Sequence, residues 1–289
     1  MKILILFLFS INTQVLAAKT ENTSLMASFS VLQNLVEQIA PGDVAVETFV
    51  PLDSDPHDYK LSIQDLMKLK KIRMYFDFGY GVDDHLMTHQ KVQNRCRVSS
   101  NLNLIQDKAK NFDPHAWQDP MMGVQMAQNI LSCLNQIFPD QKKQMQKNFD
   151  HLSTELKKIT TDYKKQFQSL PAESKKIVTA HMAFRYLEGP FQLQIFSIQG
   201  LHSHSEPSAR SLQHLVDQIK THKVGYLFPE KAEVSSTFKR LQSLTAIKLG
   251  PRLYSDTLST KSGPASSYQN LVKHNLESIY QALKTKDHL

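Results

Sequence analysis

From Gln141 to Ser169 the chain runs without a proline or glycine, and Phe149, Leu152, Leu156, Ile159, Tyr163, Phe167 and Leu170 recur at steps of three and four. That is the spacing of one apolar face on a single helix. Pro139-Asp140 supplies a start and Pro171 a stop. At 1.5 Å per residue the helix would be about 40 Å long. Its period also allows a coiled-coil seam, but only about four heptads are present, so a helix packed along its own protein is the better reading. A rod of that length near the middle of the chain divides it into an earlier and a later region.

Both flanking regions alternate strand and helix signals. Before the long helix, Val31, Leu35 and Ile39 share a helical face, with a strand expected to lead in around Phe29. "DVAVETFVP" reads as a strand stopped by Pro51, "SIQDLMKLKK" as a helix and "IRMYFDFG" as another strand. Signals are weak between Val98 and Phe112, and Met122, Met126, Ile130, Leu134 and Ile137 then mark one side of a helix. Beyond Pro171, "KKIVTA", "LQIFSIQG", "VGYLF" and "AIKLG" read as strands. "SEPSARSLQHLVDQIKTHK", "SSTFKRLQSLT" and "SYQNLVKHNLESIYQALK" read as helices. The alternation predicts an α/β fold. Neither Gly-x-Gly-x-x-Gly nor a Walker-type loop occurs, so nucleotide binding has little support.

The first residues, "MKILILFLFSINTQVLAAKT", combine Lys2, an apolar run and a small-residue end, the layout of a secretory signal cleaved after Ala17 or Ala18. No Cys follows the run, so no lipid anchor is expected, and no other segment is apolar enough to span a bilayer. The expected organisation is a signal over residues 1–18, an N-terminal lobe over 19–140, a linking helix over 141–170 and a C-terminal lobe over 171–289. Losing Lys2 lowers the formal charge from +7 to +6. The lysines are scattered along helical stretches rather than clustered with arginines and aromatics, so nucleic acid is not an expected partner. The only cysteines, Cys96 and Cys133, pair or stay free; both readings are open, since an oxidising compartment permits a bridge that sequence cannot place.

Asp-Pro-His occurs twice, in "DSDPHDYK" at His57 and in "NFDPHAWQDP" at His115, each followed closely by an aromatic residue. Proline fixes its own φ and restricts its predecessor, so the turn presents an imidazole with little conformational freedom. The Asp caps the turn or accepts from the ring; sequence leaves that choice open. His181 directly follows "KIVTA", and Asp256 comes soon after "AIKLG". Four candidate metal ligands thus fall on strand-to-helix connections, where ligands bind in α/β domains. His202 and His204, in "GLHSHSEPS", face the cleft or sit exposed. The other histidines, His85 and His89 among them, read as surface or hydrogen-bonded groups.

In order, "FVPLDSDPHDYKLSIQDLMKL", "DPHAWQDP", "KKIVTAHMAFRYL", "FSIQGLHSHSEPSA", "LFPE" and "GPRLYSD" resemble the landmarks of the zinc/manganese-binding periplasmic solute-binding proteins of bacterial metal-uptake ABC transporters. The resemblance runs from about Phe29 to the last helix. It implies two Rossmann-like α/β lobes joined by a long rigid interdomain helix, with one metal ion in the cleft between them. Matched motif by motif, His57, His115, His181 and Asp256 resemble the metal ligands, His181 being the position that is His in zinc-type members and a carboxylate in manganese-type ones. Glu206 resembles a cleft residue of the zinc-type proteins. Two departures stand out: no long His-rich loop follows Gly81, and Asp77-Phe78 replaces a common Asn-Gly pair.

Three imidazoles and one carboxylate suit Zn²⁺, usually four-coordinate, whereas a second carboxylate would favour Mn²⁺. The expected function is therefore periplasmic zinc capture and delivery to an ABC-type permease by a monomer, with Mn²⁺ or another divalent ion as the alternative cargo. A zinc hydrolase would need an open coordination position and a base for the water; four protein ligands leave none, and neither His-Glu-x-x-His nor Gly-x-Ser-x-Gly occurs. An enzyme is not expected. A surface adhesion protein with a structural metal is the third class, and the absent anchor signal argues against it.

Overall fold

The computed structural model describes residues 24–69, 72–88, 92, 94–107, 109–201, 208–231, 233 and 235–285. The leader, His89, His202, His204 and Glu206 lie outside them.

The N-terminal half runs β1 (Ser24–Ala27), α1 (Ser30–Ile39), β2 (Val46–Thr48), α2 (Ile63–Leu69), β3 (Ile72–Asp77), β4 (Arg95–Arg97) and α3 (Pro120–Ile137). The long helix α4 spans Lys142–Gln168. Beyond it come β5 (Lys176–Thr179), a one-turn α5 (Glu188–Phe191), β6 (Gln194–Ser197), α6 (Ala209–His222), β7 (Tyr226–Phe228), α7 (Ser236–Thr245), β8 (Lys248–Leu249) and α8 (Tyr268–Lys284). The strands form two parallel four-stranded sheets, ordered β2-β1-β3-β4 and β6-β5-β7-β8. The fold is bilobal α/β, and the two sheets share one connectivity. In each, the first strand is flanked on both sides by later ones, so connections leave it in opposite directions. That is the switch point where open α/β sheets leave a crevice beyond the carboxyl ends of their strands.

Two local readings change against the sequence. The first strand ends at Ala27; Phe29, expected to lie near it, is the extended residue that precedes α1. The edge strand β4 falls just before the stretch where signals were weak, and no strand was expected there. Its sequence, Arg-Cys-Arg, lacks the apolar run of a buried strand because its arginines serve a buried acid. Asp77, fully buried at the end of β3, accepts hydrogen bonds from Arg95 and, at 2.8 Å, from Arg97 Nη2. This is what Asp77 does in the place of the common Asn. Gly79 is required beside it: φ is +87°, and a Cβ there would lie 2.1 Å from Arg97 Nη1.

Helix α4 buries Leu152, Leu156, Tyr163 and Phe167 of the expected stripe and adds Met145, while Phe149 and Ile159 are half-buried; it packs against α1, α3, α5 and α8. It is a strut within one molecule. A single hydrophobic cluster runs from Leu25 in β1 through Leu152 and Leu156 to Leu283 in α8, so apolar packing is continuous between the lobes. Cys96 of β4 and Cys133 of α3 are disulfide-bonded, which resolves the alternative left open by the sequence. Among the described residues, no helix is long and apolar enough to cross a membrane.

Candidate metal centre

The second Asp-Pro-His turn is completely buried. Asp113 Oδ1 accepts from the His115 backbone N–H at 3.1 Å and lies 2.8 Å from His115 Nδ1. One carboxylate therefore caps the turn and fixes the ring, doing both jobs that sequence left as alternatives. With Nδ1 engaged, Nε2 is the nitrogen presented to the cleft.

Contacts from the second half of the chain hold this turn in place. Tyr186 donates its hydroxyl to Asp113 O at 2.6 Å and accepts from Ile105 N–H at 2.9 Å. Trp117 Nε1 donates to Ser255 O at 2.7 Å, and Tyr268 Oη donates to Trp117 O at 2.7 Å. Tyr268 reaches that carbonyl because position 123 is glycine; a Cβ there would sit 2.1 Å from the phenol oxygen.

His57 stands on a different footing. Its backbone N–H donates to Asp55 Oδ1 at 2.8 Å, repeating the turn cap, but the loop lies at the surface and His57 is half-buried.

His181 follows β5 by two residues, and Glu230 follows β7 by two. Because β5 and β7 are paired neighbours, their loops leave the sheet side by side. Glu230 grips His181 twice: Oε1 accepts from the backbone N–H at 3.0 Å, and Oε2 lies 2.5 Å from Nδ1. Burial alone would push the His181 pKa down; the charges of Glu230 and then Asp256 outweigh it and raise the pKa to about 10. Burial alone would lift the Glu230 carboxyl, but the His181 cation and its hydrogen bonds hold it below its ordinary value. A proton on His181 Nε2 and a metal ion would compete for the same lone pair.

Three of the four groups converge, and His57 lies beside two of them. His115 Nε2 lies 3.4 Å from His181 Nε2 and 3.6 Å from Asp256 Oδ1, while His181 Nε2 lies 3.5 Å from Asp256 Oδ2. A tetrahedron with ligand bonds of about 2.0–2.1 Å has edges of about 3.4 Å. His57, His115 and Asp256 each offer a ligand atom within 4.8 Å of the others. Two imidazoles and a carboxylate within 3.6 Å of one another, with the His57 ring packed beside that of His115, can hold a divalent cation.

Glu230 is the residue that sequence reasoning left without a role. Its signal was positional, an acid just past the "YLF" strand in the same crevice as His181, and no metal-ligand spacing marks it. A second acidic group, Asp77, Asp83 and Asp84, is brought together at the end of β3. Arg95 and Arg97 pair with two of its members, Arg97 Nη2 lying 2.8 Å from both Asp77 Oδ2 and Asp84 Oδ1.

Known proteins of similar sequence and shape share this fold. The chain is 26% identical over 281 residues to the manganese ABC transporter substrate-binding lipoprotein of Streptococcus mitis, covering 92% of this chain and 91% of that one. It is 26% identical over 275 residues to the metal ABC transporter substrate-binding lipoprotein of Streptococcus mutans, covering 90% of each. Among solved structures, the Mn-bound periplasmic metal binding protein from Candidatus Liberibacter asiaticus superposes with TM-score 0.82 at 24% identity, over 90% of this chain and 99% of that one. The periplasmic zinc binding protein of Treponema pallidum superposes with TM-score 0.84 at 22% identity, over 91% and 99%. These two structural likenesses establish the fold. The profile of the family named zinc-uptake complex component A, periplasmic, matches residues 25–282. A bilobal fold, a convergent His/Asp cluster and a match over nearly the whole described chain lead to one assignment: the chain belongs to this family of periplasmic metal-binding proteins.

Proposed function

We propose that the protein binds one divalent metal ion between its lobes through His57, His115, His181 and Asp256 and, as a monomer, hands it to the permease of an ABC transporter. The observation that carries this reading is the set of 3.4–3.6 Å separations among His115 Nε2, His181 Nε2 and the Asp256 carboxylate. Such separations crowd groups that would otherwise be solvated, and a shared cation offsets that cost.

For the ion, the donor set supports zinc: three imidazoles and one carboxylate match its usual four-coordinate sites. Manganese is the second reading, and the relatives favour it. Several of the streptococcal proteins carry manganese in their names. Because Zn²⁺ binds most nitrogen and oxygen sites more tightly than Mn²⁺, simple binding does not choose between them.

The test is competition at buffered free concentrations of both ions, with metal content and calorimetric affinity measured on the same mature protein. The expected result is one chelator-removable Zn²⁺ per chain, lost when His57, His115 and His181 are all alanine. Occupancy by Mn²⁺ while Zn²⁺ is present would reassign the cargo. Absence of binding by either ion would remove the reading altogether.

A further inference from the structure

His115, His181 and Asp256 are all buried, whereas His57 sits half-buried on a surface loop. Something must hold that loop against the others, and the structure shows two contacts that do. Asp53, four residues before His57, begins the connection to it. Pro51 O accepts from Ser54 N–H at 3.2 Å, closing a turn in which Asp53 takes φ +60°. A positive φ at this turn position suits Gly or Asn better than Asp. Asp53 is nonetheless clamped from the other lobe on both sides of Asp256. Its carboxylate Oδ1 accepts from Arg252 Nη2 at 2.8 Å, and its backbone N–H donates to Thr257 Oγ1 at 3.2 Å.

Arg252 is itself fixed. Its Nε donates to Glu230 O at 2.9 Å, and its guanidinium lies 4.6 Å from the centre of the Tyr254 ring. One guanidinium thus ties together the loop carrying His57, the backbone of the residue that grips His181, and the segment beyond β8 that leads to Asp256. Asp53 and Arg252 also line a cavity of about 290 Å³ that reaches His181 and Asp256.

We propose that Asp53 and Arg252 are positioning residues for metal retention: their ion pair holds the His57 loop against the buried ligands and slows release of the ion. This rests on His57 being a ligand. The pair is partly exposed, with side chains 57% and 26% accessible, so its effect is that of a surface pair. Breaking it should accelerate release about two- to fivefold with association unchanged.

The experiment loads the mature protein with Zn²⁺ and follows release into excess chelator by stopped flow, with association measured separately. Asp53→Asn removes the charge while tolerating the turn, and Asp53→Gly removes it while relieving the turn. Both should release the ion two- to fivefold faster. Wild-type release should accelerate toward theirs in about 1 M salt, where charges are screened over about 3 Å. In a His57→Ala background, Asp53→Asn should change nothing further, because the loop then carries no ligand. That outcome separates positioning from a merely structural role.

Unchanged release in both Asp53 variants overturns the proposal. Slower release in Asp53→Gly overturns it by making turn strain the controlling feature. Equal acceleration of association and release overturns it in favour of simple access. If His57→Ala alone leaves zinc affinity intact, the ligand assignment has failed and the clamp fails with it; if only the Asp53 variants are silent, the ligand assignment stands and the clamp alone is wrong.

Discussion

Reducing the Cys96–Cys133 bond should destabilise the protein substantially while leaving metal affinity alone. The bridge closes a loop with a sequence separation of 37. Cross-linking a loop of that size removes denatured-state entropy worth about 4 kcal/mol at 25 °C in the chain-entropy treatment. For a chain of this size each kcal/mol moves the midpoint by about 2–4 °C, so the melting temperature should fall by about 8–16 °C. The bond joins the edge strand β4 to α3 near its C-terminal end, whereas the proposed ligand His115 lies just before that helix begins. At 1.5 Å per residue, Cys133 is about 20 Å along the helix from its start. Calorimetric melting of the metal-free protein with and without reductant, beside Cys96→Ser/Cys133→Ser, measures the effect. Zinc titration of the reduced protein is the control. A fall of less than about 3 °C would refute the reasoning by showing that the unfolded chain is already restrained. A large loss of zinc affinity on reduction would show that β4 and α3 transmit to the site.

Further expectations concern the site and the acid cluster. His181→Ala should abolish most of the metal-induced rise in melting temperature; an undiminished rise at the same free zinc would remove His181 from the ligand set. Glu230→Gln should weaken zinc binding about 10- to 100-fold by releasing the His181 ring, the usual cost of losing a carboxylate behind a ligating imidazole. Affinity within twofold of wild type by calorimetry would refute that role. Burial, and then the neighbouring Asp77 charge, raise the Asp83 pKa to about 7. Between about pH 4 and 7 the folded state therefore holds a proton that the unfolded chain has lost, and this group makes stability fall as pH rises, by at most about 1.4 kcal/mol per pH unit. In urea denaturation of the metal-free protein, Asp83→Asn should flatten that slope relative to wild type. An identical pH profile in the two proteins would mean that Asp83 titrates normally.

What sequence revealed and what it hid divide along physical lines. Helix α4 was legible because a helix face repeats over about six turns, and the flanking strands because short apolar runs between turn residues have few other readings. The candidate ligands were legible because proline-fixed turns and strand ends restrict where an imidazole points. The strand β4 was not, since Arg95 and Arg97 look like surface residues until Asp77 is seen between them. Glu230 was hidden because it meets His181 only through the pairing of β5 with β7, a neighbour relation set by topology and not by local spacing. The cross-lobe contacts of Trp117, Tyr186 and Tyr268 were hidden for the same reason: each joins segments far apart in the chain.

The arrangement also bears on how an ion is chosen. His115 and His181 are each held from behind by a buried carboxylate, and both lie within 3.6 Å of the Asp256 carboxylate. On the proposed ligand set these three groups form a corner open to any divalent first-row ion, and affinity alone would rank zinc above manganese there. Discrimination then falls to the fourth position. Zinc would complete a tetrahedron with one more imidazole, so on the proposed ligand set its retention would depend on His57. An ion that prefers more oxygen ligands can accept water in that position and depends on His57 less. The half-buried loop, rather than the rigid corner, is therefore where retention of the two ions should diverge. Loosening the Asp53–Arg252 contact should cost zinc more than manganese; an equal loss for both ions would place selectivity in the buried corner instead.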